Sequence, residues 1–504
     1  MPSLLALPLA GLALAIYLRW AGLRWTWSLA GALLAWPVPP LAAICAIATV
    51  IGARWHRADI NDGGDLAKRA AARTGPLDTA RARLSRRRPT VDDGGLAVGV
   101  DPHGAVVRLP LGRRSGTHTL VVGATGSGKT VTLAWTLARA IDAGHGGVIV
   151  DPKGDSLLRD QALAAALRNG RRFVEWTPSG PTAYNPYGHG SDGEVADKAL
   201  AAESYTEPHY LRQAQRYLGH AVRALRAADQ TPTPARLVDL MDPKSLEVLA
   251  RRLPDEADAR RIWDYLDSLE PGQRAGLSGA RDRLAILVES ELGRWLEGDG
   301  DGDGDGDGDG DGGESSLDLL AAIRSRAVVY FRLDADRLPL LAGMLAAAIV
   351  GDLLTVAADL QADPVPTVVV IDEFSAIAAE GVSRLFGRAR AAGLSLVLAT
   401  QELADLRTAA PGLLDQVLGN VAGVVAHRQT VPDSAELIAR VGGTAPVWTT
   451  TRTIERESAN GDGSRARGRE YVIDPDLIRT LPRGTAAVID AAEGRASVAR
   501  IYHP

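Results

Sequence analysis

The residues Gly123-Ala124-Thr125-Gly126-Ser127-Gly128-Lys129-Thr130 match G-x-x-x-x-G-K-[ST] in full, and no other feature of the chain restricts its fold as much. Such a loop needs a strand that delivers it and a helix that receives it. Thr119-Leu120-Val121-Val122 has the unbroken apolar character of a buried strand, and Thr130 to Ala143 has helical periodicity. The glycines let the backbone curl so that successive N–H groups face phosphate oxygens, and the helix amino terminus adds partial positive charge. Lys129 is placed to reach the β and γ phosphates of a nucleotide, and Thr130 to ligate the magnesium that bridges them. ATP and Mg2+ are the expected cofactors.

The second half of such a site is supplied by Val368-Val369-Val370-Ile371-Asp372-Glu373, a buried-strand run that ends in two carboxylates. Asp372 is expected to orient magnesium and Glu373 to position and polarise the attacking water; the acidic pair separates a hydrolase from a protein that only holds nucleotide. Leu396-Val397-Leu398-Ala399-Thr400-Gln401 is a further strand with a polar end, where Gln401 is suited to sensing the γ phosphate, although a plain strand terminus reads the same way. Arg384, Arg388 and Arg390 lie on a predicted helix between these strands. Any of them could complete a neighbouring subunit's site, and Arg390 is taken for that role, with a solvated surface arginine as the ordinary alternative.

More strands are predicted at 147–150, 172–176, 327–333, 421–426 and 485–489, with helical segments between many of them, which implies an α/β fold with a mostly parallel sheet covered on both faces. A hairpin around Asp101-Pro102-His103-Gly104 precedes the core. The chain divides into a first core part over 95–190, an inserted all-α domain over 191–297, an Asp-Gly linker over 298–314 and a second core part over 315–504. The Asp-Gly alternation has no apolar face and lacks the apolar positions of calcium-binding repeats. Glu455 to Glu470, rich in Gly, Arg and Ser, reads as a mobile loop.

Residues 1–55 read as a two-helix transmembrane hairpin, with apolar runs Leu4 to Leu18 and Leu29 to Ala53. Trp20, Trp25, Trp27 and Trp55 flank the runs as indoles do at headgroups. Trp36-Pro37-Val38-Pro39-Pro40 weakens the second helix, which is expected to start near Pro40 or to kink. A basic juxtamembrane linker over 56–94, including Arg86-Arg87-Arg88, predicts that the remainder is cytoplasmic. The net charge of -5 shows no overall basic signature, so a nucleic-acid contact would need a local patch or a ring of subunits. Cys45 is the single cysteine, which excludes an intrachain disulfide and a cysteine-based zinc site.

With these motifs together, the chain resembles the type IV coupling proteins, the TraG and TraD family within the FtsK and HerA group of ATPases. The carrying residues are the Gly123 to Thr130 loop, Asp151-Pro152-Lys153-Gly154-Asp155, Asn185-Pro186, Val370 to Phe374, and Gly387-Arg388-Ala389-Arg390-Ala391-Ala392-Gly393 leading to Ala399-Thr400-Gln401. The resemblance implies a RecA-like P-loop ATPase core that hydrolyses ATP between the subunits of a homohexamer. It implies DNA as cargo, a relaxase-bound single strand passed to a secretion channel at the inner membrane. It also places Asp151 and Lys153 where they could touch nucleotide or a neighbouring subunit. A duplex pump of the FtsK kind and a nucleotide-gated receptor or scaffold for secretion substrates are the alternatives.

Overall fold

Buried apolar strands of this kind must be covered on both faces, and the computed structural model shows how. It describes residues 3–21, 26–35, 37–61, 91–92, 95–112, 115–201, 208–297, 316–377, 379–455 and 458–504. The Asp-Gly linker and the basic segment from 62 to 90 lie outside the described residues. In chain order the strands are β1 (Val91–Asp92), β2 (Gly95–Val100), β3 (Val106–Leu109), β4 (Thr119–Val122), β5 (Gly146–Asp151), β6 (Phe173–Trp176), β7 (Ala183–Tyr184), β8 (Ser316–Leu317), β9 (Val328–Arg332), β10 (Thr367–Ile371), β11 (Leu394–Thr400), β12 (Gly423–Ala426), β13 (Thr444–Glu455), β14 (Ser458–Tyr471), β15 (Thr485–Asp490) and β16 (Arg495–Ile501).

The main sheet runs β1-β2-β16-β15-β12-β4-β11-β10-β5-β9-β6, with β3 paired to β2. From β12 to β6 every pairing is parallel, and from β12 outward through β15, β16 and β2 every pairing is antiparallel. Alternate residues of one strand serve different cores. Val368 and Val370 pack with helices Lys129–Asp142 and Ser156–Arg168, whereas Val369 and Ile371 face helices Pro339–Asp359 and Ala379–Ala391. That double burial is why these strands read as continuous apolar runs.

Helices Asp192–Ala199, Pro208–Ala227, Pro234–Leu240, Pro243–Ala250, Glu256–Asp267 and Pro271–Val288 gather around a core of their own that includes Tyr217, Leu218, Val222, Ile262 and Leu277. Their starts are well signalled: Thr233, Asp242 and Asp255 each cap a helix with a side-chain oxygen. This bundle meets the sheet-covering helix Pro339–Asp359 at the fully buried Asp352, which accepts from Tyr184 Oη (2.8 Å) and pairs with Lys198 Nζ (3.1 Å).

One expectation is refined and one is corrected. Among the described residues, the helix long and apolar enough to cross a membrane is Pro339–Asp359, and 72% of its apolar window is buried in the fold, so it is a core helix. The amino-terminal segment forms helices Ser3–Trp20, Thr26–Leu34 and Pro39–Asn61, the third starting beside Pro40 as the prolines predicted. The run Leu29 to Ala53 breaks at Pro37 to Pro40 because proline has no N–H to continue a helix and is tolerated only in its first turn. The helices pack on one another, with Gly11 against Ile47 and Thr49 Oγ1 donating to Ser28 Oγ at 3.0 Å. The correction concerns Glu455 to Glu470. This polar stretch is mostly β14, paired with β13 on both sides of an irregularity between Arg452 and Ile454, because partner backbone supplies the hydrogen bonds whatever its own apolar pattern.

Candidate nucleotide site

The carboxyl ends of β4, β5, β10, β11 and β12 lie at one edge of the parallel sheet, where an open α/β fold binds its ligand. The phosphate loop leaves β4 there. Gly123 N–H donates to Thr400 O (3.3 Å) and Ala124 N–H to Arg428 O (3.2 Å), so the loop is stitched to the neighbouring strand ends on both sides. Gly128 caps the following helix in a left-handed conformation, φ 117°, and offers no side chain to the N–H groups of the first turn. Gly123 is needed for another reason. A Cβ on it would come within 2.6 Å of both His427 Cβ and Ser127 Oγ.

Lys129 Nζ lies 2.7 Å from Glu373 Oε1 and 3.2 Å from Asp372 Oδ1. The same Glu373 oxygen accepts from Lys153 Nζ (2.9 Å) and Gln401 Nε2 (3.1 Å). Gln401 Oε1 in turn accepts from Thr125 Oγ1 at 3.3 Å. Side chains from β10, β11, the turn after β5 and the phosphate loop therefore converge on one carboxylate. Glu373 sits at φ 48°, a left-handed conformation unusual for a residue with a Cβ, and its N–H donates to Asp372 Oδ1 (3.0 Å).

The two carboxylates are tuned in opposite directions. Burial pushes the Asp372 carboxyl above the ordinary range despite Lys129 beside it. Burial also pushes Glu373 up, but the Lys129 and Lys153 ammoniums outweigh it and hold this carboxyl below its usual range. Glu373 is thereby kept ionised.

Asp151 does not join this constellation. It is fully buried, with Oδ1 accepting from the N–H groups of Lys153 and Gly154 (both 2.9 Å) and Oδ2 from Asp155 N–H (2.7 Å) and Tyr330 Oη (2.6 Å). Its oxygens shape the Asp151 to Asp155 turn and are not free to meet nucleotide; Lys153 is the residue that turn delivers. Asn185 likewise has a structural role, its Nδ2 donating to Pro232 O of the helical bundle (2.8 Å) and its Oδ1 accepting from Tyr187 N–H (3.0 Å). Arg388 pairs with Glu194 of the helical bundle at 3.6 Å, and Arg384 and Arg390 are exposed. Arg390 lies by Gly116, ahead of β4, at the opposite end of the sheet from Glu373, so it is not part of this chain's own site.

His427, just past β12, was not singled out from sequence. It is fully buried, and its Nδ1 donates to Thr485 O (3.2 Å) while Nε2 accepts from Thr132 Oγ1 (2.8 Å) on the phosphate-loop helix. Burial, with a smaller contribution from Lys129, takes its pKa down to about 4, so it braces the loop as a neutral ring. Gly484 N–H closes the brace on Ser127 O at 2.9 Å. No local pattern marks either residue.

Two observations fit a phosphorylated ligand with magnesium: the uncapped first turn at Gly128, and Ser127 Oγ, which is buried without a hydrogen-bond partner. Among the described residues no group of three or more His, Cys, Asp and Glu surrounds a metal position, so Thr130 and Asp372 would hold magnesium only together with the nucleotide's phosphate oxygens.

Residues 104–264 match the type IV secretion-system coupling protein DNA-binding domain, and residues 366–483 match the TraM recognition site of TraD and TraG. Both motif-bearing segments fall within these matches. The fold is similar to that of the bacterial conjugative coupling protein TrwB lacking its first segment (TrwBdeltaN70), with 19% identity and a TM-score of 0.60 over 83% of this chain and 91% of that one. TrwB in complex with ADP and Mg2+ matches at 19% identity and a TM-score of 0.58, over 84% and 92% of the two chains. VirB4 of Thermoanaerobacter pseudethanolicus matches at 16% identity and a TM-score of 0.52, over 82% and 98%. No curated protein matches the sequence.

Proposed function

This chain belongs to the type IV coupling proteins of the TraG and TraD family, and from that premise we propose that it is a membrane-anchored motor that spends ATP to feed DNA into a type IV secretion channel. The observation that carries the proposal is the convergence of Lys129, Lys153 and Gln401 on Glu373 beside Asp372. Only a hydrolase needs that carboxylate ionised and held.

In the proposed cycle the backbone of Gly123 to Thr130 cradles the phosphates, Lys129 moves to the β and γ oxygens, and Thr130 and Asp372 hold magnesium. Glu373 aligns the attacking water, steadied by Lys153, while Gln401 reports the γ phosphate. Arg390, exposed at the far end of the sheet, is proposed to reach the next subunit of a homohexamer. The cargo is a single strand bearing its relaxase. The anchor is the amino-terminal helix group in the inner membrane, where exposed Leu9, Ile16, Leu33, Leu34 and Val50 would face lipid and the ATPase part would be cytoplasmic.

ATPase rates of the full chain, measured with single-stranded DNA, duplex DNA and no DNA, test the reading. Stimulation by the single strand is expected, with Glu373→Gln binding nucleotide but not turning it over. Turnover indifferent to both DNA forms would remove DNA as cargo and leave the receptor reading.

A further inference from the structure

The β13–β14 hairpin is not used by the nucleotide site, and its register sorts its residues sharply. Directly opposed residues of an antiparallel pair share a face, and the pairs Thr444 with Tyr471, Pro446 with Arg469 and Trp448 with Arg467 therefore make one face. The other carries Ala445 and Val447 opposite Glu470 and Gly468. Over these pairs the first face holds two arginines, a tryptophan and a tyrosine and no carboxylate, in a chain whose net charge is -5.

The burial agrees with this sorting. Val447, on the second face, is 7% exposed, whereas Trp448 is 53% and Tyr471 37% exposed. Arg467, across from Trp448, is exposed too, and Arg469 is held in place by Thr444, with Nε on its hydroxyl (2.8 Å) and Nη2 on its carbonyl (2.9 Å).

We propose that this face grips single-stranded DNA, with Trp448 stacking a base and Arg467 and Arg469 of β14 meeting successive phosphates. The inference rests on the DNA cargo proposed above and assigns its contact surface. Arg467 and Arg469, at alternate positions of β14, stand about 6.8 Å apart along the strand, a step close to that between successive phosphates of an extended single strand, and guanidinium groups beside an aromatic ring are what sequence-tolerant strand binding uses.

The hairpin is also mechanically connected to the nucleotide. Its base closes through Val472 N–H on Gly443 O (3.0 Å), and the chain continues through helix Pro475–Thr480, where Ile478 O accepts from Gln429 N–H (3.4 Å). It then reaches Gly484, bonded to Ser127 of the phosphate loop. Rearrangement of that loop is transmitted to the strand-gripping face by one short stretch of backbone.

The test uses the full chain in phosphatidylcholine nanodiscs and a fluorescent oligothymidylate, with affinity followed across a salt series. Trp448→Ala is expected to weaken binding about ten-fold, Trp448→Phe to stay within about three-fold of the parent, and Arg467→Ala to lower the salt slope by about 0.7. The DNA-free ATPase rate stays unchanged in all three. If the parent binds the oligonucleotide and the variants bind it equally with the same slope, the hairpin assignment is overturned while DNA as cargo stands. If the variants lose binding to phosphatidylserine vesicles and keep their DNA affinity, the face is a lipid contact and the assignment is again overturned. A parent chain that neither binds nor is stimulated by the oligonucleotide sinks the cargo reading and the hairpin assignment together.

Discussion

Lys129→Met keeps the unbranched apolar stem and removes the ammonium with its charge and N–H donors, which makes it a direct probe of the ion pairs at the sheet edge. Lys129 is 10% exposed at its side chain and touches the carboxylates of Glu373 (2.7 Å) and Asp372 (3.2 Å), whose side chains are 10% and 6% exposed. Without it, two adjacent buried carboxylates share one remaining cation, Lys153, at 2.9 Å and 43% exposed. Breaking a buried pair from one side costs about 3–5 kcal/mol, and Lys153 brings the figure toward about 3 kcal/mol. For a cooperative unit of core size that is a fall of about 6–12 °C in thermal midpoint, measured by scanning fluorimetry without nucleotide. The deficit shrinks as pH is lowered. Asp372 already has a folded pKa above its ordinary value, so the folded form takes up a proton before the unfolded chain does, and stability rises as pH falls through that pKa. Adding Glu373→Gln to Lys129→Met removes one of the two like charges and restores much of the loss. A Lys129→Met midpoint equal to the parent's at neutral pH would refute the ion-pair account.

Lys153→Ala leaves the phosphate loop intact but frees Glu373, so kcat falls about ten-fold or more while KM for ATP stays within about three-fold. The acid limb of its pH–rate profile moves to higher pH, because Lys153 helps hold Glu373 below the usual carboxylate range; an unmoved limb would count against that role. Gly123→Ala drives a Cβ to 2.6 Å from His427 and Ser127 and weakens nucleotide binding about ten-fold or more by calorimetry, whereas tight binding would show that the brace can yield. Asp352→Ala strands Lys198, 3% exposed at its side chain, and costs about 3–5 kcal/mol, visible as a lower midpoint and faster proteolysis between the helical bundle and the sheet. Asp352→Ala melting with the parent would mean the joint is held elsewhere.

Much of the core could be read locally. Thr119 to Val122 with the glycine loop and helix after it, and the apolar strands ending at Asp372 and Gln401, stand in the fold where their patterns put them. Burial on both faces writes itself into a strand as an uninterrupted apolar run. The β13–β14 hairpin was not legible, because β14 carries Gly, Arg and Ser and owes its order to the backbone of β13. Pro339–Asp359 and the amino-terminal runs show the same limit from the other side: apolar length alone does not distinguish a helix buried in protein from one facing lipid.

The phosphate loop and the acidic strand end are matters of local chemistry, since backbone curvature, helix-end charge and carboxylates at a strand terminus are all encoded within a few consecutive residues. Partnership is not. Lys129 and Glu373 stand 244 residues apart, Lys153 and Glu373 220, and His427 and Thr132 295. Which lysines converge on Glu373, why Asp151 is consumed by its own turn, and what presses on the back of Gly123 depend on strand order and burial. Those are settled only when the parallel strands are laid side by side, because distance and dielectric between such groups exist only in the folded chain.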